Sequence, residues 1–105
     1  MSDRELLEKA AKAAGIELEW VGEGSMASCF DPASEQEWWN PLGDDGDAFR
    51  LAVKLGIQVC WHASLGYATA YYDYGSAKRE EYGADPYAAT RRAIVRAAAS
   101  LGEKM

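Results

Sequence analysis

The chain has 105 residues, 49% of them hydrophobic and 27% charged, with a formal net charge of −6. That length suits one domain spanning 1–105 with a core of five or six elements, and the composition is that of a globular chain, not a disordered one. The acidic balance argues against a generic nucleic-acid binder, and so against duplex nucleic acid as a partner.

No run approaches the roughly 18 apolar residues of a membrane helix, and Met1-Ser2-Asp3-Arg4-Glu5 lacks the basic and apolar regions of a signal peptide. A soluble protein without membrane contact is expected. Two cysteines, Cys29 and Cys60, do not make a disulfide framework, which fits a reducing cytoplasm. Cys60 lies in an apolar run and reads as a small core side chain.

Ser2 and Glu5 have capping-box spacing, and Leu6, Leu7, Ala10, Ala13 and Ala14 then recur at helical spacing before Gly15. These mark a first helix over 3–14. Ile16, Leu18 and Trp20 alternate with Glu17 and Glu19, the period of a half-buried strand, and Met26 to Phe30 supplies a second strand after a glycine-bracketed turn. Residues 31–37 read as an acidic loop.

Pro41 forces Asn40 out of helical geometry, and the acids Asp44, Asp45 and Asp47 suit a helix entrance. The second helix is predicted over 45–55, with Ala48, Phe49, Ala52, Val53 and Leu55 inward and Gly56 as its stop. Residues 57–62 are the most β-like segment, and 67–74 read as the antiparallel partner. A charged loop is expected over 75–83. Asp85-Pro86 then opens a last helix to about Leu101, with Ile94, Val95, Ala98 and Leu101 inward. The order is αββαββα, an α+β fold with an antiparallel sheet layered between helices on both faces.

Charge is unevenly spread. Residues 1–49 hold twelve acids against Arg4, Lys9 and Lys12, a net of −9; residues 50–105 hold eight bases and five acids, a net of +3. No base occurs between Ala13 and Phe49.

Trp39-Asn40-Pro41 before a helix, Asp44-Asp45-Gly46-Asp47-Ala48, Leu51 to Leu55, and Ala88 through Ala98 with Arg92-Ala93 together resemble the phage ABA sandwich family over roughly 38–101. These are small accessory proteins of phages and prophages. The resemblance implies viral origin, action in the host cytoplasm and the layered fold, but no defined activity.

Catalytic templates are thin. Cys60 and His62 share a strand face, so a Cys/His nucleophile stands against a core cysteine beside a strand histidine. Gly22-x-Gly24 lacks the lysine and helix of a phosphate loop. Asp44, Asp45 and Asp47 can serve a weak Mg²⁺ site or simply cap the helix. The expectation is a non-enzyme without cofactor or metal.

The more informative constellation joins two helix starts. Helix N-termini favour anions, arginine forks phosphate, and tryptophan stacks on bases. If the starts converge, Trp38, Trp39, Asn40, Lys78, Arg79, Arg91 and Arg92 surround a nucleotide-like ligand. In the competing structural reading Trp39 plugs the core, Asn40 caps, and Arg92 pairs with Asp44 or Asp85.

A third use of the sequence is an acidic face of Glu17, Glu19, Glu23, Asp31, Glu35 and Glu37, which would imitate nucleic-acid phosphate before a basic groove of a host defence protein. Exposed Tyr71 and Tyr74 serve either a homo-oligomer or sheet packing. The leading expectation is a phage-encoded binding protein that counters antiviral defence by sequestering a nucleotide-like signal. The alternatives are an acidic protein–protein inhibitor and a structural or regulatory accessory factor.

Overall fold

The computed structural model describes residues 2–24, 27–34, 36, 38–72 and 77–104. Its elements are α1 (Asp3–Ala14), β1 (Glu19–Val21), β2 (Ser28–Phe30), α2 (Asp45–Leu55), β3 (Ile57–His62), β4 (Tyr67–Tyr72), β5 (Lys78–Glu81) and α3 (Pro86–Glu103). All three helices form where the spacing places them, because each carries its own start and the first two their own stop. Ser2 Oγ accepts from Glu5 N at 3.2 Å, although the Glu5 carboxylate takes the Ser2 hydroxyl rather than its backbone N–H. Gly15 and Gly56 adopt left-handed φ of 73° and 67°, closing α1 and α2. Asp44 caps α2 through Asp47 N at 2.8 Å, and Asp85 caps α3 through the N–H groups of Tyr87 and Ala88.

Two antiparallel sheets form. The smaller pairs β1 with β2, setting Trp20 opposite Cys29; the larger has the order β3-β4-β5. The strand β5 corrects the expected loop and makes the order αββαβββα. Its sequence Lys78-Arg79-Glu80-Glu81 has no apolar residue to alternate, so neither propensity nor periodicity announces it. Its polar side chains are held instead by α3, as described below. Met26 and Tyr74 lie outside the described residues.

Opposed residues of antiparallel strands share a face. Ile57, Val59, Trp61, Ala68 and Ala70 therefore share one face with Lys78 and Glu80, and Gln58, Cys60, Thr69, Tyr71 and Arg79 share the other. The first face holds the buried Ala68 and Ala70, against which α3 packs, with α1 behind α3. On the second face Gln58, Cys60, Arg79 and Glu81 are exposed.

The core is built of small residues. Ala10, Ala93, Val95, Ala97 and Ala98 are fully enclosed where α1 meets α3, with Leu6, Leu7, Leu51, Ile57 and Ile94 around them. Alanine on both helices lets the axes approach closely. Gly102 marks the tightest point: a Cβ there would overlap the Lys9 carbonyl oxygen, a backbone atom that cannot swing aside. Alanine favours a helix over glycine by about 1 kcal/mol, yet the collision reverses the sign. Gly102→Ala is expected to lower stability by about 1–3 kcal/mol, read as a lower urea midpoint at unchanged m-value.

Candidate functional site

The segment 38–47 folds into a tight knot before α2. Trp39 is buried at 8% exposure; its N–H donates to Cys29 O at 2.9 Å, and Cys29 Sγ donates back to Trp39 O at 3.3 Å. Pro41 is fully buried beside it. Asn40 Oδ1 accepts from Gly43 N at 3.1 Å, while Asn40 N donates to Asp47 Oδ2 at 2.9 Å. Asp47 is buried at 4% exposure yet well supplied, since Arg50 Nη2 donates at 2.6 Å and Gln36 Nε2 at 3.4 Å. Trp38, in contrast, stands 45% exposed with its ring edge-on to Phe30 at 6.2 Å. The hollow between Trp38, Trp39, Asp47 and Arg50 holds about 150 Å³, well below the ~300 Å³ at which small-molecule sites begin.

The arginines of α3 diverge. Arg91 reaches back to the α2 entrance, donating from Nε to Leu42 O at 2.9 Å and from Nη1 to Asp45 Oδ1 at 2.6 Å. Arg92 faces the opposite way, pairing with Asp3 at 3.0 Å and with Glu80 at 3.8 Å. Its partners are therefore not Asp44 or Asp85, because a 100° step per residue carries it away from α2. Arg96 holds Glu80 at 2.6 Å and Arg79 O at 3.1 Å, which fastens β5 to α3. Arg79 lies over the Tyr67 ring at 3.9 Å and pairs with Glu81.

The seven residues named from the sequence thus fall into separate places. Trp38 and Trp39 line the small hollow, with Asn40 in the turn beside it. Arg91 bridges α3 to α2. Lys78 and Arg92 line a cleft of about 380 Å³ that also contains Arg96 and Glu80, and Arg79 sits on the other sheet face. The helix entrances do touch through Arg91, but a capping acid already takes one first-turn N–H of α2, that of Asp47, and two of α3, those of Tyr87 and Ala88. Where an anion would dock, the chain supplies its own carboxylate.

Cys60 and His62 share a face, as expected from their spacing. His62 Nε2 lies 3.3 Å from Thr69 Oγ1 and the ring stacks near Tyr67 at 4.5 Å. Cys60, expected in the core, is exposed, since β3 turns it to the open face, and Cys29 is the buried cysteine. Burial pushes the Cys29 thiol up from 9.0 to about 11. Among the described residues no group of three His, Cys, Asp or Glu is placed to hold a metal. Of the acidic face, Glu17, Glu19 and Glu23 are exposed and Asp31 half-buried, while Glu35 and Glu37 lie outside the described residues.

The feature the sequence reading missed is apolar. Phe49 and Val53, assigned inward, are 69% and 66% exposed; α2 instead buries Asp47, Ala48, Leu51 and Ala52. The capped Asp47 fixes that rotation by drawing its carboxylate under Trp39 and Asn40. Phe49 and Val53 then form one wall of a groove of about 670 Å³, with β3 as its floor and Tyr87 and Ile94 of α3 opposite. Trp61 and Tyr87 at its rim are 66% and 68% exposed. Two apolar stripes on α2, at 48/51/52 and at 49/53, were visible in the sequence, and one helix cannot bury both against a single core. No helix is long and apolar enough to cross a membrane among the described residues.

No protein-family model, curated protein or solved structure matches this chain.

The two arginines should separate in stability. Arg91 is 16% exposed and bonds both an acid and a buried-edge carbonyl, so Arg91→Ala is expected to cost about 1.5–3 kcal/mol. Arg92 is 39% exposed, and Arg92→Ala should cost under about 1 kcal/mol. Chemical denaturation of the two variants measures the difference. The cysteines should also separate: a thiol reagent at pH 8 modifies Cys60 in the folded protein and spares Cys29. Because folding raises the Cys29 pKa, its thiol stabilises the fold fully below pH 9, and that contribution is lost as pH rises through about 11. Cys29→Ala should flatten the alkaline limb of a stability–pH profile.

Proposed function

We propose that this chain is a non-catalytic binding protein that holds an uncharged, apolar segment of a partner protein in the groove between α2, β3 and α3. The observation that carries the reading is the cluster of Phe49, Val53, Trp61 and Tyr87, each about two-thirds exposed around one cavity. Contiguous apolar surface of this kind is costly in water and marks interaction sites. Aromatic anchors around a concavity are also the commonest carriers of interface energy. The resemblance to phage ABA sandwich proteins gives the setting: a viral accessory protein in the host cytoplasm whose partner is a host protein, with antiviral defence as the process it counters. The acidic N-terminal half then biases encounter toward a basic partner, while affinity comes from the groove.

A second reading keeps a nucleotide-like ligand. It rests on the cleft where Lys78, Arg92 and Arg96 surround Glu80. A phosphate entering there would displace the Glu80 carboxylate from Arg92 and Arg96, with Lys78 lining the same cleft. The groove is favoured because Arg92 and Arg96 of the cleft already pair with Asp3 and Glu80, whereas the exposed aromatics gain only on binding.

Native mass spectrometry of protein recovered from infected cells tests both readings. Wild type should carry a protein partner, and Phe49→Asp with Val53→Asp should lose it, a weakening of about 30-fold or more for two hot-spot positions. Both side chains are exposed, so circular dichroism and the thermal midpoint should stay near wild type. A retained nucleotide that disappears with Arg92→Ala, while the α2 variant behaves as wild type, would move the function to the basic cleft.

A further inference from the structure

The larger sheet has two outer edges, and they are protected unequally. The outer edge of β5 carries Lys78, Arg79, Glu80 and Glu81, the charged guard that keeps exposed strands from pairing. The outer edge of β3 carries Ile57-Gln58-Val59-Cys60-Trp61-His62, with no Asp, Glu, Lys, Arg or Pro. No described strand pairs with it, since β3 is terminal in the order β3-β4-β5. The groove wall at this point consists of the consecutive residues Gly56, Ile57, Gln58 and Val59. Consecutive residues point to alternate faces, so a cavity that touches all four reaches the strand edge itself.

We infer that the β3 edge pairs antiparallel with the same edge of a second copy, joining two three-stranded sheets into one of six strands. The strand is its own complement. With the two-fold axis at Val59, Ile57 faces Trp61 of the second copy, and Gln58 faces its Cys60. Opposed residues then share a face, apolar against apolar and neutral against neutral, with no like charges brought together. The area suffices. At ~150–250 Å² per aromatic side chain, the exposed two-thirds of Phe49, Trp61 and Tyr87 present roughly 300–500 Å² per copy. Val53, Gln58 and the strand backbone add to this, toward the ~800 Å² per partner of a standard interface. The isologous contact also closes on itself, so it ends at a dimer rather than a filament. The pairing stands on the strand edge, and because it also covers Phe49, Trp61 and Tyr87, a second copy and the proposed partner segment compete for those side chains.

Sedimentation velocity of the full chain from low to high micromolar concentration is the test. Wild type should be dimeric, and Gln58→Lys with Cys60→Lys, both at exposed positions, should weaken dimerisation at least 100-fold while circular dichroism is unchanged. A second measurement does not depend on those lysines. Gln58→Cys, treated with glutathione disulfide, should give a covalent dimer through residues 58 and 60 of opposite copies, and adding Cys60→Ser should abolish it. A wild type that stays monomeric at high micromolar concentration overturns the inference, as does a dimer indifferent to the lysine pair and uncrosslinked by Gln58→Cys. If a monomeric wild type still loses its partner with Phe49→Asp and Val53→Asp, the proposed function survives while the dimer fails.

Discussion

The close crossing of α1 and α3 is the constraint on which the remaining packing depends. A chain of this length buries too little surface to tolerate a loose core, and here the central side chains are mostly alanines. Alanine contributes little transfer energy for each residue buried, so stability has to come from proximity. Many dispersion contacts at short range replace a few large side chains. Gly102 permits that proximity at the end of α3, where a methyl group would meet the Lys9 carbonyl. With α3 held against α1, its other faces are free to receive β3, β4, β5 and α2.

Charge then fastens what the alanines leave unattached. Arg91 ties α3 to the α2 entrance, Arg96 ties it to β5, and Arg92 links it to both α1 and β5. None of these pairs is deeply buried on both sides, and each alone contributes modestly. Their combined effect is geometric. They set the rotation of three elements around one helix, and the short, wholly charged β5 has its recorded helix-directed contacts through them. The same function explains why Arg91 stands apart from Arg92 and Arg96: each serves as a strut to a different element.

The helices were legible because their information is local. Ser2, Asp44 and Asp85 announce starts, and Gly15 and Gly56 announce stops within a residue or two. The β3–β4 hairpin was legible for its apolar, β-branched and aromatic content. What escaped is non-local. Lys78 to Glu81 becomes a strand only because β4 offers an edge and α3 offers arginines, neither of which is written into the four residues themselves. The rotation of α2 escaped for a similar reason. Its sequence offers two apolar stripes, and the choice is made by Asp47, whose carboxylate is claimed by Asn40, Gln36 and Arg50. The site followed the same division: Trp39 as a core plug and Asn40 as a turn bond could be foreseen, while the groove depends on which stripe of α2 faces out.

This distribution has a consequence for recognition. The described ion pairs engage Arg4, Lys9, Arg50, Arg79, Arg91, Arg92 and Arg96 inside the chain. Cations so neutralised project little field, whereas Glu17, Glu19 and Glu23 remain exposed in a region with no base between Ala13 and Phe49. The long-range potential is therefore set by the acids, which repel polyanions and attract basic surfaces before contact. The exposed apolar side chains lie elsewhere, in a mostly apolar groove beside a strand edge without Asp, Glu, Lys or Arg. On the proposed function, a partner would be sorted in two stages, by sign at a distance and by apolar fit on arrival. A salt dependence confined to the association rate, with dissociation governed by Phe49, Val53 and Trp61, is the kinetic form expected of the proposed binding.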